Sequence, residues 1–170
     1  MPQPGRTAVV IPVPELDPVL GAVATHRPDA VRPGIPAHLT LLYPFVPAPE
    51  LTGAAVDRCR ALCAGTGPVR VTFRHAVAGS SMVATTPEPA GPLAALARAL
   101  REAWPEHPPY GGRFGPDPDP HVTLALDPGP DAAALAVATG GLLPVDAVLS
   151  AAALVELTAD GWRQRAALPL

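Results

Sequence analysis

The chain has 170 residues, 48% of them hydrophobic, which is enough for one domain with a real core. Its formal charge of −3 at this hydrophobicity excludes a typical disordered segment and a basic nucleic-acid coat. The 25 prolines and 15 glycines sit mostly between periodic apolar segments and read as punctuation, and all 12 basic residues are arginine.

The first apolar run, Thr7 to Val13, is rich in β-branched residues and predicts a strand. Leu16, Val19, Leu20 and Val23 then recur at helical spacing, and that helix stops before Pro28. HLTLLYPF, from His38, is the next strand. PELTGAAVDRCRALCAG predicts a second helix with Gly65 as its C-terminal cap. On it Cys59 and Cys63 share a face with Leu51, Ala55, Val56 and Leu62, so they read as core residues and not as a disulfide or metal pair. VRVTFRHAV and SMVATT form a hairpin around Ala78-Gly79-Ser80. Leu93, Leu96, Ala97, Leu100 and Trp104 make the clearest helical stripe, bracketed by Pro92 and Pro105.

A loop from Glu106 to Pro120 follows, and aperiodic connections of this length are often functional. The chain closes with a strand from His121, a short helix from Asp131 to Thr139, and two strands, DAVLSAAALVELT and GWRQRAALPL. Both halves thus read strand, helix, His-x-Thr strand, helix, strand, which predicts an internal duplication and two similar lobes. No secretory signal is visible, and no run approaches the roughly 18 apolar residues of a membrane span. The expected location is the cytoplasm.

Two stretches carry the chemistry: PAHLTLLYPF from Pro36 and PHVTLAL from Pro120. Strand alternation sends His38 and Thr40 to one face and Leu39 and Leu41 to the other; His121 and Thr123 likewise oppose Val122, Leu124 and Leu126. Either motif alone is explained by a backbone-bonded histidine and a β-forming threonine. Paired in matching contexts, they predict two imidazoles and two hydroxyls converging on one cleft. Imidazole titrates near neutrality, so such a pair can act as general base and general acid across one centre. The hydroxyls can donate to charge-bearing oxygens there. In-line displacement at phosphorus suits this layout and requires no metal.

The paired motifs, the LTLLYPF tail of the first and the element order resemble the two-histidine (2H) phosphoesterase superfamily, in particular its bacterial 2′-5′ RNA ligase-like members. The resemblance implies an α+β, bilobal fold formed by residues 1–170 as a single domain. Two pseudo-symmetric lobes of antiparallel sheet would carry helices outside and enclose a central cleft. It also implies metal-independent, cofactor-free hydrolysis of 2′,3′-cyclic or related cyclic phosphates, with His38, Thr40, His121 and Thr123 as the catalytic residues. RNA 2′-5′ ligation by the reverse chemistry, or a binding module for nucleotides or RNA ends without turnover, are the alternatives. The expected ligands are RNA ends or small cyclic nucleotides, with no DNA and no membrane, and the expected state is a monomer.

Phosphate favours arginine, whose planar fork bonds its oxygens in pairs. Arg70 and Arg74 share the polar face of their strand with Thr72, Arg113 sits in the long loop, and Arg163 and Arg165 alternate with Trp162. Tyr43, Phe45, Tyr110, Phe114 and Trp162 are candidates to stack on a base, although alternation sets Tyr43 and Phe45 on the leucine face, where core packing is their expected role. The substrate-binding set is therefore Tyr43, Tyr110, Arg113, Phe114 and Arg74. His75 is expected at the core edge, His26 at a helix C-terminus and His107 in solvent, and no Cys/His spacing resembles a zinc site. Net charge −3 argues against long non-specific contact with a polyanion.

Overall fold

Alternating valine, leucine and alanine build the strands and apolar stripes build the helices of the computed structural model, which describes residues 3–170. In chain order these are β1 (Thr7–Pro12), α1 (Asp17–His26), β2 (His38–Leu42), α2 (Gly53–Ala64), β3 (Val69–Ala78), β4 (Met82–Glu88), α3 (Gly91–Ala103), β5 (Val122–Leu126), α4 (Ala132–Gly140), β6 (Val145–Leu149), β7 (Ala151–Thr158) and β8 (Gly161–Pro169). The strands pair antiparallel in the order β6-β3-β4-β5-β2-β1-β7-β8.

The α+β, two-lobed expectation holds. Four strands lie on each side of the β5–β2 seam, and β1-α1-β2 and β4-α3-β5 are the corresponding units. The helices cross over: α1 and α4 pack behind β5, β4 and β3, whereas α2 and α3 pack behind β2, β7 and β8. The lobes are not successive halves of the chain, because β7 and β8 return to the side of β1. DAVLSAAALVELT, expected as one strand, is two. It breaks at Ser150, with β6 on β3 in one lobe and β7 on β1 in the other. An apolar run without alternation carries no period to mark such a break.

All four helices cover one face of the sheet. Val19, Val23, Cys59, Cys63, Leu93, Leu96, Leu100 and Leu135 meet Val9, Ile11, Leu39, Leu41, Val122 and Leu124 in a single buried cluster. Each large side chain there contributes about 1.5–3 kcal/mol by leaving water. Thr52 caps α2, its hydroxyl accepting from the Ala55 amide at 3.2 Å. Burial pushes the Cys59 and Cys63 thiols up to about 12 and about 11, as core positions require. A register shift between Phe73 and Ala76 turns His75 out to solvent, not to the core edge expected for it. His26 does end α1, its Nδ1 on the Ala22 carbonyl at 2.9 Å. No helix among the described residues is long and apolar enough to cross a membrane.

Candidate active site

β2 and β5 are the two central strands, and they meet at the Leu39–Val122 pair. In an antiparallel ladder the flanking positions then fall opposite one another, His38 by Thr123 and Thr40 by His121. Leu39 and Val122 point into the core, so the four motif residues point away from it. Cross-strand partners share a face, and here Val10 lies opposite Thr40, Pro12 opposite His38 and Ala84 opposite Thr123. The two histidines are diagonal neighbours, a relation that sets the residues about 7–8 Å apart, with their Cβ atoms somewhat closer. One tetrahedral centre fits between side chains at that spacing.

The imidazoles are held alike. His38 Nδ1 donates to the Pro36 carbonyl at 2.8 Å and His121 Nδ1 to the Asp119 carbonyl at 2.9 Å, each two residues upstream. A carbonyl can only accept, so both rings carry hydrogen on Nδ1 and leave Nε2 free for proton transfer. Their surroundings differ. His38 packs edge-on against Trp162, with ring centroids 4.8 Å apart and planes at 64°. Burial holds the His38 imidazole below the usual histidine range, outweighing the Pro36 carbonyl, and the positive charges of Arg32 and His121 act in the same direction as burial.

Arg32 is a site-side arginine that sequence reasoning missed. It opens the turn Arg32-Pro33-Gly34-Ile35, closed by the Ile35 amide on the Arg32 carbonyl at 3.4 Å, with Gly34 at φ 70°. The available signal was Pro-Gly at the centre of a turn just before the first motif.

The threonines are also unequal. Thr123 Oγ1 donates to the Met82 thioether at 3.8 Å, whereas Thr40 stands beside the Tyr110 phenol. Burial raises the Tyr110 phenol, with Thr40 and Arg101 partly opposing it. The Tyr110 amide donates to the Tyr43 carbonyl at 2.6 Å, and its ring meets Tyr43 at 6.2 Å and Phe114 at 5.4 Å. The loop from Glu106 to Pro120 therefore reaches the motif face through Tyr110. Asp117 ties the same loop to α3 through Arg98 at 3.0 Å and Arg101 at 3.1 Å.

The remaining binding candidates divide. Tyr43 joins Trp162, Ala8, Val10, Ala153 and Val155 in a small apolar cluster on the motif face, not the core face that alternation assigned it. A register shift between Val9 and Val10 puts Leu42 opposite Val9 on the core side and leaves Tyr43 on the other. Phe45 does go to the core, against Trp104 at 4.9 Å. Arg113 lies over the half-exposed Phe114 ring at 5.3 Å, farther out on the loop. Arg74 is not brought to the histidines: it pairs with Glu88 at 2.8 Å on β3, two strands from β5. Arg163 and Arg165 share Glu156 at 2.8 and 3.0 Å.

Two hollows, of about 630 and 500 Å³, are lined by Arg70, Thr72, Glu88 and Asp146 and by α1 with residues 31–36, and neither touches a motif residue. Among the described residues, no group of three or more His, Cys, Asp or Glu side chains is arranged to hold a metal ion.

The family model described as the 2′-5′ RNA ligase superfamily matches residues 12–161, including both motifs. The chain belongs to this superfamily. Solved structures with the same fold include LigT of E. coli in complex with 3′-AMP, at 18% identity, TM-score 0.63 and 99% coverage of both chains. A Thermus thermophilus protein aligns at 23% identity and TM-score 0.61 over 97% of each chain. A structure described as a phosphoesterase aligns at 19% identity and TM-score 0.52, covering 99% of this chain and 96% of that one. Among curated proteins, none matches the sequence. These 2H phosphoesterase-type neighbours establish the fold.

Proposed function

We propose that this superfamily member is a metal-independent phosphodiesterase that opens 2′,3′-cyclic or related cyclic phosphates at RNA ends or on small nucleotides. The observation that carries this reading is the matched tautomer lock: both imidazoles spend Nδ1 on a carbonyl two residues back and keep Nε2 free, on adjacent central strands. A water oxygen attacks phosphorus while a neutral imidazole takes its proton. The bond from phosphorus to the departing ribose oxygen breaks, and the other, protonated, imidazole supplies the proton to that oxygen. One water is consumed and a phosphate monoester, assigned to the 2′ position, is left. Thr40 and Thr123 donate to the non-bridging oxygens as charge builds there.

Tyr110, Tyr43, Phe114 and Arg113 offer stacking surface and a cation at the edge of the site, whereas Arg74, committed to Glu88, has no assigned phosphate contact. E. coli LigT has been crystallised with 3′-AMP, ATP and NADP+, which supports a ligand of nucleotide size. A net charge of −3 points the same way, toward a chain end or a mononucleotide in the cytoplasm and away from a long polyanion. RNA 2′-5′ ligation would run the same two imidazoles in reverse.

The deciding experiment incubates the protein in EDTA with 2′,3′-cyclic nucleotides and identifies the product isomer. Turnover to the 2′-phosphate is expected, with a bell-shaped pH–rate profile whose two limbs belong to the coupled pair. Loss of turnover on chelation with rescue by a divalent ion, or binding of the nucleotide without any turnover, would remove this reading.

A further inference from the structure

We propose that Trp162 is the positioning residue for His38: its indole packs edge-on against the imidazole while the Pro36 carbonyl holds Nδ1, so that Nε2 is presented to the motif face in one orientation. This deepens the phosphodiesterase reading and rests on it. Trp162 is 124 positions away from His38 in sequence, and backbone geometry brings the two together. The β7–β8 hairpin turns at Ala159-Asp160, and the Thr158 hydroxyl donates to the Gly161 carbonyl across it at 3.1 Å. Gly34, in the turn before His38, lies directly on that hairpin. A Cβ at Gly34 would overlap the Asp160 carbonyl oxygen, and one at Gly161 would overlap the Gly34 carbonyl. Two glycines with φ of +70° and +127° thus let the turn before the first motif and the turn before Trp162 touch through bare backbone.

The indole then rests on Ala8, Val10, Ala153 and Val155, which fix its depth, and its ring meets the His38 ring at 4.8 Å. The charged groups acting on His38 are Arg32, from the preceding loop, and His121, from the neighbouring strand. Among the described residues, no carboxylate bonds either imidazole. The carbonyl bond fixes the tautomer at Nδ1 but leaves the ring free to swing about it, and packing against the indole restricts that swing at His38. Among the described residues no aromatic ring packs against His121, so the clamp distinguishes the two halves of an otherwise matched site. It also accounts for the burial that keeps His38 neutral to lower pH than a free histidine.

A readout independent of turnover is available because a protonated imidazole quenches an adjacent indole. The chain's other tryptophan, Trp104, is buried against Phe45 with His107 nearby, so the Trp162 signal is the part of the emission change that Trp162→Phe removes. Emission of the whole protein should fall on acidification with a midpoint below about 6.5, and His38→Ala should abolish that step. Trp162→Ala should move the His38 NMR titration up toward the ordinary value and lower kcat about 10²-fold with a smaller change in KM, while Trp162→Phe should recover most of the loss. Emission without a His38-dependent step, or Trp162→Ala with unchanged kcat and an unchanged His38 titration, would overturn the clamp. If Trp162→Ala does not fold, the emission step and Trp162→Phe still decide it. If the wild-type protein shows no turnover, the phosphodiesterase reading falls, and the titrations still decide the packing.

Discussion

Leu39 and Thr40 are chain neighbours on β2 with opposite assignments, so substituting each in turn tests the face assignment on which the site rests. Leu39 is fully buried at the seam between the lobes, paired with the equally buried Val122. Leu39→Ala removes three carbons from that contact, worth about 2.4 kcal/mol at about 0.8 kcal/mol each. The cavity left behind brings the expected loss into the range of about 2–5 kcal/mol. For a domain of this size each kcal/mol lowers Tm by about 2–4 °C, so a cost near 3 kcal/mol predicts a fall of about 6–12 °C. Thr40→Val keeps the shape of a half-buried side chain and removes one hydroxyl, so its stability should stay within about 1 kcal/mol of wild type. Its rate should fall about 10- to 10³-fold through a lost phosphate hydrogen bond. Thermal unfolding followed by circular dichroism and turnover of a 2′,3′-cyclic nucleotide at a temperature where both variants are folded separate the effects. A Leu39→Ala protein of normal Tm, or a Thr40→Val protein that is destabilised but fully active, would refute the face assignment.

His38→Ala and His121→Ala should each lower kcat about 10²- to 10⁴-fold, and the double variant should cost far less than the product of the two, because both act on one transition state. Folding stability should fall as pH drops through about 6.5: native His38 titrates below its unfolded value, so the unfolded chain takes up that proton first and stability is lost on the acid side. Urea midpoints between pH 7.5 and 5.5 check this, and His38→Ala should flatten that part of the slope. Cys59 and Cys63, buried and pushed up to about 12 and about 11, should resist a thiol-reactive disulfide at pH 8 in the folded protein and react fully once it is denatured.

What could be read from the sequence was whatever depends on period. The Leu93–Leu100 stripe, the alternation in His38-Leu39-Thr40 and the turn residues around Gly79 each encode their own local structure, and their elements form where expected. What stayed hidden depends on an extra residue or on a distant partner. A single shift between Val9 and Val10 moved Tyr43 to the motif face, and another after Phe73 expelled His75. The fate of each arginine was likewise decided across the sheet, with Arg74 meeting Glu88 and Arg163 meeting Glu156, pairings that strand order determines and no local window contains. The contact of Trp162 with His38 belongs to the same class, because it depends on Gly34 and Gly161, far apart in the chain, meeting backbone to backbone.

Two identical dyads on adjacent antiparallel strands give a locally two-fold arrangement, and symmetry of this kind solves only half of an acid–base problem. It places an imidazole on each side of a shared centre, which in-line displacement needs. It does not decide which imidazole holds the proton, because groups in equal surroundings would titrate equally and divide the working state between two mirror forms. The surroundings here are unequal. The β2 side has Trp162, Arg32 and Tyr110, all acting on His38 or Thr40, whereas the β5 side has the Met82 thioether beside Thr123. The first group comes from the α1–β2 connection, the α3–β5 loop and the last hairpin, segments outside the two central strands that carry the dyads. On the proposed reading, the two central strands supply the opposed bases and the segments around them make those bases chemically distinct. Substitutions in those segments should therefore shift pH profiles, while substitutions in the paired strands should act on rate or stability.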